Sequence, residues 1–224
     1  MCSERVFVLR SVRVLYEKKG RMKFISHLDM TRLMTRIIRK SKLPVWYTEG
    51  FNKRVYVSFA LPLSLGFESD YEVLDFKLED DTFSLDSIPE ILNKASVDGL
   101  KFFECFEAQK KSCEVTFADF VITFYDNKSL IKPLEKFLKS DSILCEKRTK
   151  KGDIKEFDFK EVAKKIEIDK TKENTKLLLT LPAGNNGNIN PELLISKFFE
   201  NAEEYYCYSV LKTMIYDGLM QPFR

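Results

Sequence analysis

The sequence has few residues with ligating or catalytic side chains. Its 224 residues include one histidine, His27, and one tryptophan, Trp46. The five cysteines form no CxxC pair. Structural zinc and iron–sulfur sites need several clustered cysteine or histidine ligands. We therefore expect no metal and no cofactor, and thiols that stay reduced in a cytosolic chain.

Long hydrophobic runs are also missing. No uninterrupted apolar stretch approaches the roughly 20 residues that a membrane span needs. Charged residues at Glu4, Arg5, Arg10 and Arg13 interrupt any signal-peptide core. We expect a cytoplasmic protein that does not contact a membrane. With 44% hydrophobic residues, including 19 Phe, the chain can build one large or two smaller cores.

Acidic residues are scarce in one segment. Residues 18–54 contain eleven Lys or Arg but only Asp29 and Glu49 as acids, a formal charge of +9. The whole chain has a net charge of +3, so the remaining residues carry −6. This asymmetry indicates an anionic partner for the basic segment.

The hydrophobic periodicity predicts an α+β fold. Both halves have the order strand, helix, strand, strand, helix, strand, which is typical of ferredoxin-like modules. We predict an N-terminal module over 1–110 and a C-terminal module over 111–224, in a tandem, RAMP-like architecture. In the second half the segment SILCEKR, 142–148, is the predicted second strand, and an inserted hairpin and short helix follow it.

The stretch Ser26-His27-Leu28-Asp29 predicts the start of a helix that ends near Ser41. A hydroxyl at the N-cap and an acid three residues later form a capping pattern. Residues one and two apart on a helix do not face each other, so a Ser-His-Asp triad is not expected. His27 alone is the weak catalytic candidate, as an acid or base, because the pKa of histidine lies near neutrality.

One face of this helix is predicted to be a basic ridge that binds RNA or another anion. Arginine binds phosphate bidentately, and the neighbouring aromatic residues suit stacking on bases. The predicted phosphate contacts are Arg32, Arg36, Arg39 and Lys40 on the helix, with Lys53 and Arg54 in the next turn. Tyr47 and Asn52 are predicted to read bases.

The run KGRMKFISHLDMTRLMTRIIRKSKLPVWYTEGFN, followed by SFALPLSLGFESDYEVLDFKL, resembles the radical-SAM-linked protein family. That family is a domain of unknown function found beside or fused to cobalamin-binding radical SAM proteins. The resemblance implies a radical SAM partner. The chain departs from the family pattern after GFN, where Lys53, Arg54 and Val55 replace a Pro-His-Pro-type stretch, and near the C-terminus, where Leu211-Lys212 replaces His-Arg. Relative to the family pattern, this chain lacks these histidines but keeps basic residues, which favours a binding function over a catalytic one.

Three functions stay open at this point. The favoured one is a non-catalytic partner of a radical SAM protein that binds a structured RNA through the basic ridge. The second is a metal-independent endoribonuclease that uses His27, by analogy with the tandem ferredoxin-like enzymes that process CRISPR repeats. The third is a protein-docking module whose basic face binds an acidic surface of the radical SAM partner.

Overall fold

The structure, a computed structural model, describes most of the chain. The described ranges are 9–125, 130–148, 152–170, 174–185, 187–200 and 206–224. The chain divides into two compact units. The first contains the residues up to Glu114 together with Phe223–Arg224, and the second is Val115–Pro222.

The first unit follows the predicted order of elements. Its elements are β1 (Arg10–Lys18), α1 (His27–Ser41), β2 (Val57–Phe59), β3 (Glu68–Leu78), α2 (Ile88–Ala95) and β4 (Leu100–Glu107). The strands pair antiparallel in the order β4, β1, β3, β2. Strand β2 has only three residues, and before it Val45 and Tyr47 form isolated bridges.

The core of the first unit lies between one face of the sheet and the two helices. From α1 it receives Met30, Met34, Ile37 and Ile38, all buried. From β1 and β3 it receives alternating residues, since side chains two apart on a strand share a face. These residues are Val12, Val14, Tyr16, Leu74, Phe76 and Leu78. The 3.6-residue apolar stripe therefore decides how α1 lies against the sheet.

The last two residues of the chain return to this first unit. Phe223 is fully buried, and its carbonyl accepts a hydrogen bond from the Tyr71 hydroxyl at 3.0 Å. The guanidinium carbon of Arg13 lies 4.3 Å from the centre of the Phe223 ring. Arg224 forms an ion pair with Glu104 on β4. Residues 223 and 224 thus complete a unit that otherwise ends near Glu114.

The second unit carries an additional hairpin. Its elements are β5 (Val115–Phe124), α3 (Ile131–Leu138), β6 (Leu144–Arg148), β7 (Ile154–Asp158), α4 (Phe159–Val162), β8 (Lys165–Lys170), β9 (Thr175–Pro182), α5 (Glu192–Glu200) and β10 (Tyr208–Asp217). The strands of its main sheet pair antiparallel in the order β10, β5, β9, β8. Strands β6 and β7 form a separate two-stranded sheet.

One predicted strand of the second unit forms, but it does not pair as the predicted order requires. The segment 142–148 does not supply the second strand of the main sheet. Its residues Leu144–Arg148 pair with Ile154–Asp158 in the hairpin, and Lys165–Lys170 lies beside β9 instead. Both segments alternate in hydrophobicity, and alternation does not identify the partner of a strand. The predicted hairpin and short helix therefore include β6 itself.

Helices and antiparallel strands segregate in both units, so the α+β class is confirmed. The assignment of the units to ferredoxin-like modules stays a prediction. In the part of the chain that the structure describes, every helix is too short or too polar to span a membrane.

Candidate functional site

The N-terminus of α1 has the predicted cap. The Ser26 hydroxyl oxygen accepts a hydrogen bond from the Asp29 backbone N–H at 3.1 Å and donates one to the Asp29 carboxylate at 2.8 Å. These hydrogen bonds, followed by one from Arg32, hold the pKa of Asp29 below its usual value. Ser26 and Asp29 therefore act together as a helix cap.

His27 is the first residue of α1 and lies at the edge of a small cavity. Its ring meets the Phe59 ring edge to face, with centroids 5.1 Å apart and planes at 73°. The cavity has a volume of about 10 Å³, roughly the space that one water molecule needs. The residues that line it are Tyr16, Lys18, His27, Met30, Phe59, Pro62, Leu63 and Glu72.

The floor of the cavity is polar although it is buried. Tyr16 on β1 and Glu72 on β3 are cross-strand partners and are 1% and 3% exposed, and Lys18 is also 3% exposed. Burial raises the pKa of Tyr16 well above its usual value near 10, and the charge of Glu72 raises it further. The cavity is therefore lined by the exposed His27 together with three buried polar side chains, Tyr16, Lys18 and Glu72.

The basic ridge lies on the exposed face of α1. Arg32, Arg36, Arg39 and Lys40 are all exposed, as the sequence predicted. Two of them have partners: Arg32 forms an ion pair with Asp29 at 3.1 Å, and the Lys40 ammonium donates to the Ala95 carbonyl at 3.3 Å. Within the described residues, no hydrogen bond or ion pair engages the guanidinium groups of Arg36 and Arg39. These two arginines are the most available for an anion.

Residues 48–54 form a tight exposed loop, which we name the GFN turn after Gly50, Phe51 and Asn52. The Thr48 N–H donates to the Arg54 carbonyl at 2.8 Å, and the Arg54 N–H donates to the Thr48 hydroxyl at 3.1 Å. Gly50 has φ +115°, a conformation that side-chain-bearing residues rarely adopt. The turn exposes two cations, Lys53 and Arg54, and the Asn52 amide.

The predicted base-reading residue Tyr47 lies at the base of this turn. It bridges Val55, and 38% of its surface is exposed. In the described part of the chain, no hydrogen bond or ion pair joins the GFN turn to the basic ridge. The structure thus shows two exposed cationic groups on the first unit, one on α1 and one on the turn.

Two features of this region were not decided by the sequence. Phe51 is one of the aromatic residues beside the basic ridge, and the structure shows its side chain fully exposed at 103% of the reference value. The polar floor of the cavity was missed. Glu72 shares its alternation phase with the buried Leu74 and Phe76, so an acid at a core-facing position was the signal available in the sequence.

A second basic segment, 147–153, lies only partly within the described residues, since 149–151 fall outside them. The Lys147 ammonium donates to the Asn188 carbonyl at 2.5 Å. At the start of α5, the Asn190 side-chain oxygen accepts a hydrogen bond from the Glu192 N–H at 3.1 Å, a contact typical of a helix N-cap. These contacts are internal to the second unit.

In comparisons with known proteins, the chain matches a family model. No curated protein matches the chain. Residues 11–191 match the family described as "Uncharacterized protein conserved in bacteria (DUF2344)". The match includes α1, the GFN turn and the cavity below His27, and it continues through most of the second unit. The chain therefore belongs to this family of uncharacterized bacterial proteins.

Proposed function

We propose that the protein is a cytoplasmic, non-catalytic RNA-binding partner of a cobalamin-binding radical SAM protein. The RNA-binding part of this proposal rests on the exposed guanidinium groups of Arg36 and Arg39. Both are exposed, and no hydrogen bond or ion pair to another described residue occupies their guanidinium groups. Arginine pairs with phosphate through parallel hydrogen bonds, and phosphate neutralisation dominates nucleic-acid affinity.

The proposed surface combines these arginines with the GFN turn. Arg32 and Lys40 extend the basic ridge, although each already has an internal partner. Lys53 and Arg54 supply further cations, and Tyr47 and Asn52 supply groups that suit contacts with bases. The low content of acids in residues 18–54 supports an RNA partner, because few carboxylates there compete with phosphate.

The radical SAM partnership rests on the sequence resemblance described above. In this proposal the radical SAM partner catalyses the reaction on the RNA, and the present chain binds that RNA.

The test of the partnership is co-purification of the two proteins before and after nuclease treatment. An interaction that needs RNA supports a shared substrate. An interaction that survives the nuclease and needs Arg36 and Arg39 supports the protein-docking function instead.

The RNA-binding test is a charge reversal, Arg36→Glu with Arg39→Glu. We expect the Kd for a structured RNA to rise about tenfold or more at low salt. The slope of log Kd against log salt should fall by about 1.4–1.8, which corresponds to two lost phosphate contacts at about 0.7 each on single strands and about 0.9 each on a duplex. Fluorescence anisotropy over a salt series measures both quantities.

The matched control is Lys132→Glu with Lys136→Glu, which reverses two exposed cations on α3 of the second unit. This control should leave the Kd within about twofold of the wild-type value, since a surface contact removed elsewhere does not affect the site. Equal losses in both variants would show that binding depends only on net charge. Unchanged binding after reversal of Arg36 and Arg39 would overturn the proposed function.

A second candidate function is metal-independent RNA cleavage, and the cavity is the observation that favours it. His27 is exposed at the cavity edge, and Tyr16 and Lys18 lie below it. An imidazole that titrates near neutral pH transfers protons efficiently in such a reaction. The cavity itself holds about one water, so a scissile phosphate would have to lie outside it, on the exposed side of His27.

Incubation of labelled RNA with the pure protein in chelator tests this candidate. Cleavage that is lost in His27→Ala and reduced in Tyr16→Phe would establish it. Cleavage that persists in His27→Ala comes from a contaminant. A wild-type protein that binds RNA without cleaving it supports the non-catalytic function.

A further inference from the structure

The most exposed large apolar side chain in the described residues is Phe51, at the tip of the GFN turn. Its relative exposure is 103%, against 67% for Phe24 and 44% for Phe103. Burial of a phenylalanine is a large source of folding free energy, and Phe51 contributes none of it. Its aromatic ring therefore has no role in the stability of the first unit.

The turn that carries Phe51 is well defined. Two hydrogen bonds between Thr48 and Arg54 close it, and the Tyr47–Val55 bridge fixes its base. Val55 is 4% exposed and anchors the turn in the core. Closure of the turn at its base limits the backbone conformations that residues 48–54 adopt. Less conformational entropy is then lost when a ligand contacts the ring.

The chemistry around the ring indicates the class of ligand. Lys53 and Arg54 follow Phe51 directly in sequence, and the single acid of the turn is Glu49. An aromatic face beside two cations suits a nucleobase whose neighbouring phosphates meet the cations. A base inside a duplex has both of its faces covered by stacking, so only an unpaired base offers a free face.

We propose that Phe51 stacks on an unpaired base, and that the RNA bound by this protein presents a single strand, loop or bulge at the GFN turn. This inference rests on the proposed RNA-binding function and adds its substrate class. Lys53 and Arg54 contact the phosphates on either side of the stacked base, and the basic ridge contacts the backbone further along the strand.

Two RNA probes test the inference: an unpaired oligouridine of about 12 nucleotides and an RNA duplex of about the same length. Phe51→Ala should raise the Kd for oligouridine about tenfold or more and leave the Kd for the duplex within about twofold. Phe51→Trp should keep wild-type affinity, because its ring also stacks. The control is Phe24→Ala, which removes the other highly exposed phenylalanine and should change neither Kd.

The possible results separate the inference from the proposed function. If Phe51→Ala binds oligouridine like the wild type, while reversal of Arg36 and Arg39 still abolishes binding, the stacking role is wrong and the function stands. The stacking role is also wrong if Phe51→Ala loses equal affinity for oligouridine and for the duplex. It is equally wrong if Phe51→Trp loses as much affinity for oligouridine as Phe51→Ala does. If the wild type binds neither probe nor a structured RNA, both proposals fail. Thermal melting should be the same for the wild type, Phe51→Ala and Phe51→Trp, because the fully exposed Phe51 ring does not support the fold.

Discussion

Arg13 shows how a charge is accommodated inside the first unit. Its guanidinium forms two hydrogen bonds of 2.7 Å to the Asp75 carboxylate and a third of 2.8 Å to the Lys110 carbonyl. The side chain is fully buried, and the Phe223 ring covers it. A buried ion pair of this kind contributes little over an apolar pair, but loss of one partner leaves an uncompensated charge.

We expect Asp75→Ala to lower the free energy of unfolding by about 3–5 kcal/mol, because Arg13 then stays buried without its carboxylate. The control is Glu90→Ala, which breaks an exposed ion pair with Lys94 of 2.7 Å. This change should cost less than about 1 kcal/mol. Urea denaturation measures both variants. Equal costs would contradict the special role of the buried pair.

The cysteines are predicted to differ in reactivity. Cys105 is buried, and burial raises the pKa of its thiol to about 12, so almost no thiolate is present near pH 8. Burial also raises the pKa of Cys145, whereas Cys113 and Cys207 are exposed. Iodoacetamide in the native state should therefore modify Cys113 and Cys207 well before the two buried thiols.

Peptide mapping by mass spectrometry after a time course measures these modification rates. The control is labelling in denaturant, where Cys105, Cys113, Cys145 and Cys207 should react at similar rates. Native labelling of Cys105 as fast as that of Cys113 would show that the surrounding packing opens readily.

Among the elements, α1 has one face buried in the core and an opposite, exposed face that is basic. Its buried face consists of Met30, Met34, Ile37 and Ile38, and its exposed face carries the basic ridge. The Ser26 cap and the left-handed backbone at Lys42, φ 57°, mark its two ends. Substitutions on the exposed face are therefore expected to alter ligand binding without unfolding the protein.

The junction between β1 and β4 depends on a glycine. The Gly99 backbone has φ +84°, and its carbonyl accepts from the Lys19 N–H at 2.8 Å. A Cβ atom at Gly99 would lie 2.5 Å from the Lys19 carbonyl oxygen, closer than van der Waals contact allows. We expect Gly99→Ala to cost at least about 1–3 kcal/mol, from backbone strain together with the clash.

A suitable control is Gly66→Ala. Gly66 has a similar φ of +86°, but no atom lies within 4 Å of its Cβ position. Gly66→Ala introduces the backbone strain without the clash, so its melting temperature should be higher than that of Gly99→Ala. Equal melting temperatures, measured by circular dichroism, would show that the close contact with Lys19 relaxes without cost.

Local patterns were sufficient to predict α1 but not every strand. The start of α1 depends on Ser26 and Asp29, three residues apart, and its apolar stripe repeats within one helix, so short-range information defines it. Leu144–Arg148 pairs with Ile154–Asp158 and not with the main sheet. Register and pairing are long-range properties, which hydrophobic alternation alone does not encode.

The same distinction applies to the candidate site. The exposed cations of α1 and of the GFN turn followed from helical spacing and turn chemistry. The cavity did not, because it needs Tyr16 and Glu72 to be cross-strand partners and His27 to lie above them. The sequence did not decide the exposure of Phe51, because a phenylalanine near a strand is more often buried than fully exposed.

For the molecule as a whole, alkaline pH is the expected limit of stability. Burial raises the pKa of Tyr16 in the first unit well above its usual value. Burial and hydrogen bonds to Glu192 and Asp119, respectively, raise the pKa values of Tyr208 and Tyr216 in the second unit to about 12. A tyrosine in the unfolded chain ionises near pH 10 and therefore releases its proton first.

The stabilisation from these tyrosines is fully present below about pH 10, where both states are protonated. It is lost progressively as the pH rises from about 10 through the folded-state pKa values. We expect the free energy of unfolding to decline steeply between about pH 10 and 12, as measured by urea denaturation at each pH. Tyr216→Phe should flatten this decline, and a constant free energy over the range would contradict the prediction.

The return of Phe223 to the first unit has a consequence for synthesis of the protein on the ribosome. Domains generally fold from the N-terminus as the chain emerges, at about 5–20 residues per second. The ring that covers Arg13 and the carbonyl that binds Tyr71 are made more than 100 residues after Glu114. The first unit therefore begins to fold early but acquires its final contacts only after the whole second unit has been translated.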